Sequence, residues 1–315
     1  MKIFKISSLV VLILICLLLV LLWTPGTSRQ QMEQKYAGSS SDFATLSDGS
    51  RIHFRDQGNN SGPALVLVHG TGASLHTWEP LIDLLKADFR LVSLDLPAHG
   101  LTGATQGRKY SHSSLVAAVW QVMDELELEK ASLVGNSLGG AVVWKAALSS
   151  PDRVKSLIML APSGAPRKTK SKSNIGFRIM KTSLGRTAML HITPRFIIKA
   201  SLQQTIEDDS LVTNAMIDRY WELLRMDGNR QAMADLSVAP RSQDAWRELD
   251  QINNPSLIIW GENDGLLPVD MAATFVEKMP NETLVVFPGI GHLPMEEAAV
   301  KTSAEIRKFC VQNDC

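Results

Sequence analysis

Short apolar runs separated by longer stretches of helical period fill most of this 315-residue chain. The helical stretches include Ser113–Leu128 and Ala141–Leu148. Buried strands that alternate with helices are typical of parallel βαβ units with helices on both faces of a sheet. The predicted strands are Ala64–Val68, Leu91–Leu94, Ala131–Val134, Lys155–Leu160, Ser256–Trp260 and Thr283–Phe287. The pattern therefore predicts an α/β fold with a mostly parallel sheet.

Two regions depart from this alternation. Phe43–Leu46 and Arg51–Arg55 flank a Ser-Asp-Gly turn signal, which predicts a β-hairpin before the parallel strands. Residues 163–240 carry helical patterns without an obvious buried strand between them, which predicts an inserted helical cap. The α/β core would then comprise residues 42–162 and 241–315.

The N-terminus carries an apolar run that follows Lys2 and Lys5 and ends at Trp23. Its length lies between that of a signal peptide and that of a spanning helix, and no Ala-x-Ala cleavage pattern is present. We predict that residues 1–24 form a hydrophobic membrane anchor, with secretion after signal-peptide cleavage as the alternative. The positive-inside rule then places the catalytic domain on the exoplasmic side, periplasmic or lumenal. Residues 25–41 are polar and predict a linker.

Composition and charge narrow the classes of partner. The chain is 45% hydrophobic and 20% charged, which suits one large buried core. Lys+Arg and Asp+Glu are both 32, so no global basic field favours nucleic acid as a partner. The first half of the cap is an exception, because it has basic residues and no acidic one. These basic residues are Arg167, Lys168, Lys170, Lys172, Arg178, Lys181, Arg186, Arg195 and Lys199.

The basic half of the cap supports two hypotheses. It is either a solvated helical face balanced by acidic residues elsewhere, or a basic and partly apolar surface that rests on anionic lipid beside the anchor.

Two cysteines near the C-terminus, Cys310 and Cys315, are either bridged or free. An oxidising compartment permits a small disulfide between them, and otherwise they are free thiols.

A glycine-rich segment, Gly135-Asn136-Ser137-Leu138-Gly139-Gly140, follows one predicted strand and precedes a predicted helix. A nucleophile elbow needs this context, because its serine occupies a strained strand-to-helix turn that presents Oγ above the sheet. Small residues two positions either side allow neighbouring backbone to approach. The segment predicts Ser137 as a catalytic nucleophile.

With this motif the chain resembles the α/β-hydrolase family from about Phe43 onward. His69-Gly70-Thr71-Gly72 follows a strand as the family's oxyanion loop does. The segment from Asp95 to Gly100 resembles the family's Asp-x-Pro-Gly-x-Gly turn, with Ala98 in place of the usual glycine. The resemblance implies an oxyanion hole formed by the backbone N–H groups of Thr71 and Leu138, with Gly72 as an alternative to Thr71.

The family's acid and base follow later strands. Trp260-Gly261-Glu262-Asn263-Asp264 matches the acid turn, and we prefer Asp264 over Glu262 because it lies further from the strand end. The segment from Gly289 to Glu296 matches the loop that delivers the catalytic histidine, which is His292. The chain order Ser137, Asp264, His292 is the order expected for this fold.

The resemblance implies a serine hydrolase that needs no cofactor or metal and forms an acyl-enzyme. Carboxylic esters are the preferred substrate class, either small esters or lipid esters. Lipid esters are included because membrane-anchored monoacylglycerol lipases share this architecture. With Asn136 before the serine, the elbow is similar to that of carbon–carbon bond hydrolases. However, Leu293 after the histidine and Ala73 in the oxyanion loop differ from the usual pattern of those enzymes. A cofactor-free haloperoxidase and a low-turnover receptor or scaffold are two further hypotheses that the resemblance leaves open.

Overall fold

The computed structural model describes residues 14, 17, 20–167, 169, 174–240 and 244–315. Eight strands form one sheet. They are β1 (Ser41–Thr45), β2 (Arg51–Gly58), β3 (Ala64–Val68), β4 (Arg90–Leu94), β5 (Ala131–Asn136), β6 (Val154–Leu160), β7 (Ser256–Gly261) and β8 (Glu282–Phe287). Their order is β1-β2-β4-β3-β5-β6-β7-β8. The pairs β1–β2 and β2–β4 are antiparallel and the remaining pairs are parallel, so the predicted sheet is confirmed.

Helices occupy the connections between these strands. Within the described residues they are α1 (Arg29–Tyr36), α2 (Glu79–Leu85), α3 (His112–Glu125), α4 (Leu138–Ser149), α5 (Ile175–Met180), α6 (Ser183–Met189), α7 (Arg195–Gln203), α8 (Asn214–Arg225), α9 (Asn229–Val238), α10 (Ala272–Lys278), α11 (Pro294–Glu297) and α12 (Ala299–Asn313). Short 3-10 segments lie at Leu75–Trp78, Pro151–Arg153, Asp209–Leu211, Ala245–Gln251 and Val269–Met271.

The apolar core lies on both faces of the sheet. Successive side chains of a strand point to opposite faces, and β3 shows this directly. Val66 and Val68 belong to one buried cluster, whereas Leu65 and Leu67 belong to the other. A strand that is buried on both faces has a continuous apolar sequence, which is why the sequence predicts the central strands so well.

Five helices, α5 to α9, lie between β6 and β7 and form the cap. The cap contributes to both core clusters. Leu202 and Ile217 join one of them, and Met233 and Leu236 join the other. The cap is therefore packed onto the core around the carboxyl ends of the central strands, where ligands bind in open α/β sheets.

The segment predicted as a linker, residues 25–41, is folded onto the rest of the molecule. Ser28 caps α1 in a capping box with Gln31, which explains why this polar stretch is helical. The backbone N–H of Thr27 donates to the carbonyl of Arg225 in the cap, at 3.0 Å. Met32 is buried beside Leu223 and other apolar side chains. A polar composition alone does not indicate such long-range contacts.

The predicted membrane anchor, residues 1–24, lies mostly outside the described residues. Among the helices that the structure does describe, none has the length and apolar character needed to cross a membrane. The side chains of Leu17, Val20, Leu21 and Trp23 are exposed.

The two C-terminal cysteines are joined. Cys310 and Cys315 form a disulfide at the end of α12, which answers the question that the sequence left open. Cys315 is 1% exposed, so the bridge folds the last residues back onto the core.

Candidate active site

Ser137 lies in the turn between β5 and α4 with φ +54° and ψ −113°. A non-glycine residue in this region is strained, as a nucleophile elbow requires. The flanking glycines permit the turn, because a Cβ at Gly135 would overlap the carbonyl of Gly139, and one at Gly139 would overlap that of Val68. The Ser137 N–H donates to the Leu160 carbonyl at 3.0 Å, which fixes the elbow to the neighbouring strand.

His292 and Asp264 form a buried hydrogen-bonded pair. The Nδ1–H of His292 donates to Oδ2 of Asp264 at 2.6 Å, and both residues are at most 5% exposed. The other carboxylate oxygen, Oδ1, accepts the backbone N–H groups of Leu266 and Leu267, each at 2.8 Å. Three donors therefore fix the carboxylate. The competing acid, Glu262, is exposed at the surface.

The free nitrogen of His292, Nε2, is buried and has no hydrogen-bond partner among the described residues. The ring is fixed by its backbone, because the His292 N–H donates to the carbonyl of Thr205, at 3.0 Å. Its carbonyl accepts the side-chain amide of Asn136 at 3.2 Å. The residue before the nucleophile thus holds the loop that carries the histidine. A buried ring nitrogen without a partner is able to accept a proton from a hydroxyl.

The two predicted oxyanion donors have free N–H groups. Neither the Thr71 N–H nor the Leu138 N–H donates to another described residue. Leu138 is the first residue of α4, where unpaired N–H groups and the helix dipole favour negative charge. A Cβ placed on Gly70 would lie 3.0 Å from the Cβ of Ser137, so the loop that carries Thr71 packs against the elbow.

His69 holds this loop in place. Its Nε2 accepts the backbone N–H of Leu96 at 3.0 Å, and its Nδ1 lies 2.8 Å from the carbonyl of Gly70. Burial lowers the pKa of His69, so its ring is neutral and Nε2 remains an acceptor. His69 therefore braces the loop that carries Thr71.

A second Ser-His-Asp hydrogen-bond chain lies beneath this loop, and no sequence motif indicates it. His53 is 2.7 Å from Asp95 through Nδ1 and 2.8 Å from the Ser41 hydroxyl through Nε2. Burial raises the pKa of Asp95, but the hydrogen bond from His53 and the other imidazoles nearby outweigh it, so the pKa lies well below its usual range. Asp95 also accepts the N–H groups of Leu75 and Leu101, so it braces the turn that begins at Asp95.

A polar cluster joins the cap to the helix that follows His292. Glu296 accepts hydrogen bonds from Tyr220 and Arg219 of the cap, at 3.2 and 3.5 Å, and from Thr77 of the core. Arg219 also lies 3.6 Å from Glu79. Burial raises the pKa of Glu296, and Arg219 opposes that shift. These contacts link residues far apart in sequence, so local motifs could not predict them.

Apolar side chains of core and cap surround the elbow. One small cavity is lined by Leu138, Leu115 and Leu236, and a second by Gly72 and Ala73 together with Leu223 and Met233 of the cap. The lining of the first cavity also includes Ser111 and His112, and that of the second includes His99 and Asn229. Both cavities therefore lie between side chains of the core and side chains of the cap.

A strained serine after a central strand, a buried histidine–aspartate pair and two backbone N–H groups without a described acceptor match the arrangement expected at the site of an α/β hydrolase. The model of the alpha/beta hydrolase fold family matches residues 63–299. The chain belongs to this family.

Three relatives illustrate the similarity. The dihydrolipoyllysine-residue acetyltransferase component of an acetoin cleaving system from Pseudomonas putida is 30% identical over 83% of this chain and 67% of its own. The 2-hydroxy-6-oxononadienedioate/2-hydroxy-6-oxononatrienedioate hydrolase of Burkholderia vietnamiensis is 29% identical over 84% of this chain and 93% of its own. The crystal structure of a bacterial membrane phospholipase A has a TM-score of 0.72 at 21% identity, and the match covers 100% of this chain and 99% of that one.

Proposed function

We propose that this protein is a hydrolase in which Ser137, Asp264 and His292 act as a catalytic triad on a carbonyl compound. The observation that carries the proposal is the buried hydrogen bond from His292 Nδ1 to Asp264 Oδ2, at 2.6 Å. It fixes the tautomer whose Nε2 accepts a proton, and that nitrogen has no other described partner.

In the proposed reaction the Ser137 Oγ forms a bond to the carbonyl carbon while its proton passes to His292 Nε2. The N–H groups of Thr71 and Leu138 bind the resulting oxyanion. The tetrahedral species then collapses, the bond to the leaving group breaks, and His292 returns the proton to that group. A water molecule releases the acyl group by the same steps. One oxyanion donor contributes about 3 kcal/mol of transition-state stabilisation.

The first candidate for the broken bond is a carbon–carbon bond next to a ketone. The sequence favours ester hydrolysis, but the comparisons support the carbon–carbon candidate better, because the dienedioate hydrolase of Burkholderia vietnamiensis is 29% identical to this chain. Asn136, which holds the histidine loop, supports the same candidate. In this reaction the leaving carbon, rather than an alcohol oxygen, takes the proton from His292.

A carboxylic ester, including a lipid ester, is the second candidate. Leu293 after the histidine and Ala73 in the oxyanion loop favour it, since both differ from the pattern typical of carbon–carbon bond hydrolases. Leu115, Leu138 and Leu236, which line the small cavity beside the elbow, suit an uncharged acyl chain. The membrane phospholipase A shares the fold along its whole length, at 21% identity.

We also propose that residues 1–24 anchor the protein in a membrane with the catalytic domain on the exoplasmic side. Lys2 and Lys5 before the apolar run support this orientation. The disulfide between Cys310 and Cys315 supports it as well, because disulfides persist mainly in oxidising compartments. Release as a secreted protein after cleavage is the alternative.

Activity-based labelling tests the triad, and a substrate panel separates the two bond types. We expect a fluorophosphonate probe to label the wild type and to leave Ser137→Ala unlabelled. An unlabelled wild type would contradict the serine mechanism and leave a receptor or scaffold role. The panel compares dienoate ring-cleavage products, followed by loss of their absorbance, with p-nitrophenyl esters and monoacylglycerols. At least a hundredfold higher kcat/KM on the dienoates supports the first candidate, and the reverse supports the second.

A further inference from the structure

The basic half of the cap carries large apolar side chains in contact with solvent. Phe177 of α5, Leu184 of α6 and Phe196 of α7 are 37%, 80% and 63% exposed. Helix α5 packs on α6 and on α7, and α7 packs on α8. Large exposed apolar side chains on three successive helices of one subdomain indicate an interaction surface.

Three cations on the same helices or immediately next to them lack acidic partners. Arg178, Lys181 and Lys199 are exposed and form no ion pair with any described residue. Arg195 does form one, with Asp218 of α8. The sequence has no acidic residue from 153 to 206, so the surface is positive throughout. Apolar side chains among unpaired cations match the chemistry of an anionic lipid surface.

The N-terminal apolar run reaches the molecule at this surface. Trp23 stacks on His191, which lies between α6 and α7, with ring centroids 4.8 Å apart and planes at 8°. The Thr24 N–H donates to the His191 carbonyl at 2.8 Å, and the Thr193 N–H donates to the Thr24 hydroxyl at 3.0 Å. The chain therefore passes directly from its apolar run onto the exposed side of the cap.

We propose that α5, α6 and α7 form a membrane-contact surface that rests on a bilayer rich in anionic phospholipid. Phe177, Leu184 and Phe196 enter the headgroup–acyl boundary, and Arg178, Lys181 and Lys199 bind the phosphates. This contact is separate from the anchor and independent of which carbonyl compound is the substrate. It holds the cap, rather than the opposite side of the sheet, against the lipid.

Site-specific quenching in the full-length protein tests the proposal. A single fluorophore is attached at Leu184→Cys, with Cys16→Ser to remove the remaining free thiol. Val311→Cys on α12, whose native side chain is 87% exposed, is the matched control. Each protein is reconstituted into vesicles of phosphatidylcholine alone or with about one third phosphatidylglycerol, both containing a brominated lipid as quencher. We expect quenching at position 184 to be at least fivefold greater than at 311 in the anionic vesicles, and to fall at high salt.

A charge variant and three possible outcomes complete the test. The triple change Arg178→Gln, Lys181→Gln, Lys199→Gln removes no ion pair with a described residue, and an unchanged Tm shows that it folds. We expect it to reduce quenching at position 184 at least threefold in anionic vesicles. Equal quenching at positions 184 and 311 overturns the proposal. The proposal is also overturned if quenching at position 184 is the same in neutral and anionic vesicles. Contact between the labels of two copies at position 184 would overturn it as well.

Discussion

The side-chain amide of Asn136 donates to the backbone carbonyl of His292, 156 positions later in the chain, at 3.2 Å. The same amide donates to the carbonyl of Leu160 at 3.0 Å. The residue next to the predicted nucleophile, Ser137, therefore fixes the position of the predicted base through the backbone of that base.

Asn136→Asp should uncouple the two loops, because a carboxylate oxygen would face two carbonyl oxygens. Losing such buried hydrogen bonds costs about 1.5–3 kcal/mol, so kcat should fall roughly 10- to 100-fold. Steady-state kinetics on the best substrate, with Tm measured in parallel, checks this. Asn253→Asp is the control, since that amide donates to Gln251 at the surface. An unchanged kcat with a native Tm would show that Asn136 does not position the base.

Asp264→Asn should lower kcat by about 10⁴-fold without loss of fold, because an amide nitrogen facing Nδ1 favours the wrong imidazole tautomer. Glu262→Gln, two residues earlier and exposed, should leave kcat within about twofold of wild type. Single-turnover and steady-state rates for both variants test the assignment. A larger fall for the Glu262 variant would transfer the role of the acid to that residue.

Gly139→Ala should prevent stable folding, because the added methyl group overlaps the backbone of Val68 in β3. Gly289→Ala is the matched comparison. Its φ is +69° but nothing lies within 4 Å of the new Cβ, so only the strain of about 1–2 kcal/mol is expected. Urea unfolding of both variants measures the difference. Similar losses of stability in the two variants would mean that the elbow and β3 separate easily enough to accommodate the added methyl group.

The protein should lose stability as the pH falls below about 6.5. Burial lowers the pKa of His99 to about 3 and that of His76 to about 4, so both stay neutral in the fold while the unfolded chain binds protons. Each such group removes up to about 1.4 kcal/mol per pH unit over this window. His99→Gln should flatten the decline relative to the wild type. Unfolding free energies at pH 7.5 and 5.0 test the two slopes.

Arg219→Met should destabilise the protein more at pH 8 than at pH 5. Burial raises the pKa of Glu296, so its ionised form depends on Arg219 and is disfavoured further when that cation is removed. Breaking a buried pair costs about 3–5 kcal/mol when the remaining group is charged, and protonation at low pH relieves this penalty. Arg307→Met breaks an exposed pair with Asp88 and should cost less than about 1 kcal/mol at either pH. A pH-independent loss in the Arg219 variant would indicate packing alone.

The parts of this fold that the sequence predicts are those marked by a pattern of neighbouring residues, either an apolar run or a short motif. The central strands are buried on both faces and therefore appear in the sequence as apolar runs. Ser137, Asp264 and His292 each follow such a strand within a short motif, and the structure brings the last two into contact.

The parts that escaped prediction depend on partners far away in the chain. The amide of Asn136 meets a carbonyl 156 positions later, and Arg219 meets Glu296 across the boundary between cap and core. Residues 25–41 have the polar composition of a linker, yet Thr27 and Met32 are held by residues near position 225. No periodicity or spacing encodes such pairs.

The N-terminal segment also limits how the cap can move. Thr27 is bonded to the backbone of Arg225 and Asp227 in the cap, whereas the guanidinium of Arg29 is bonded to the carbonyls of Leu101 and Thr102 in the core. The two backbone positions are separated by at most about 7 Å even when the chain is fully extended. The N-terminal segment therefore ties this edge of the cap to the core, in addition to the tie that Arg219 makes with Glu296.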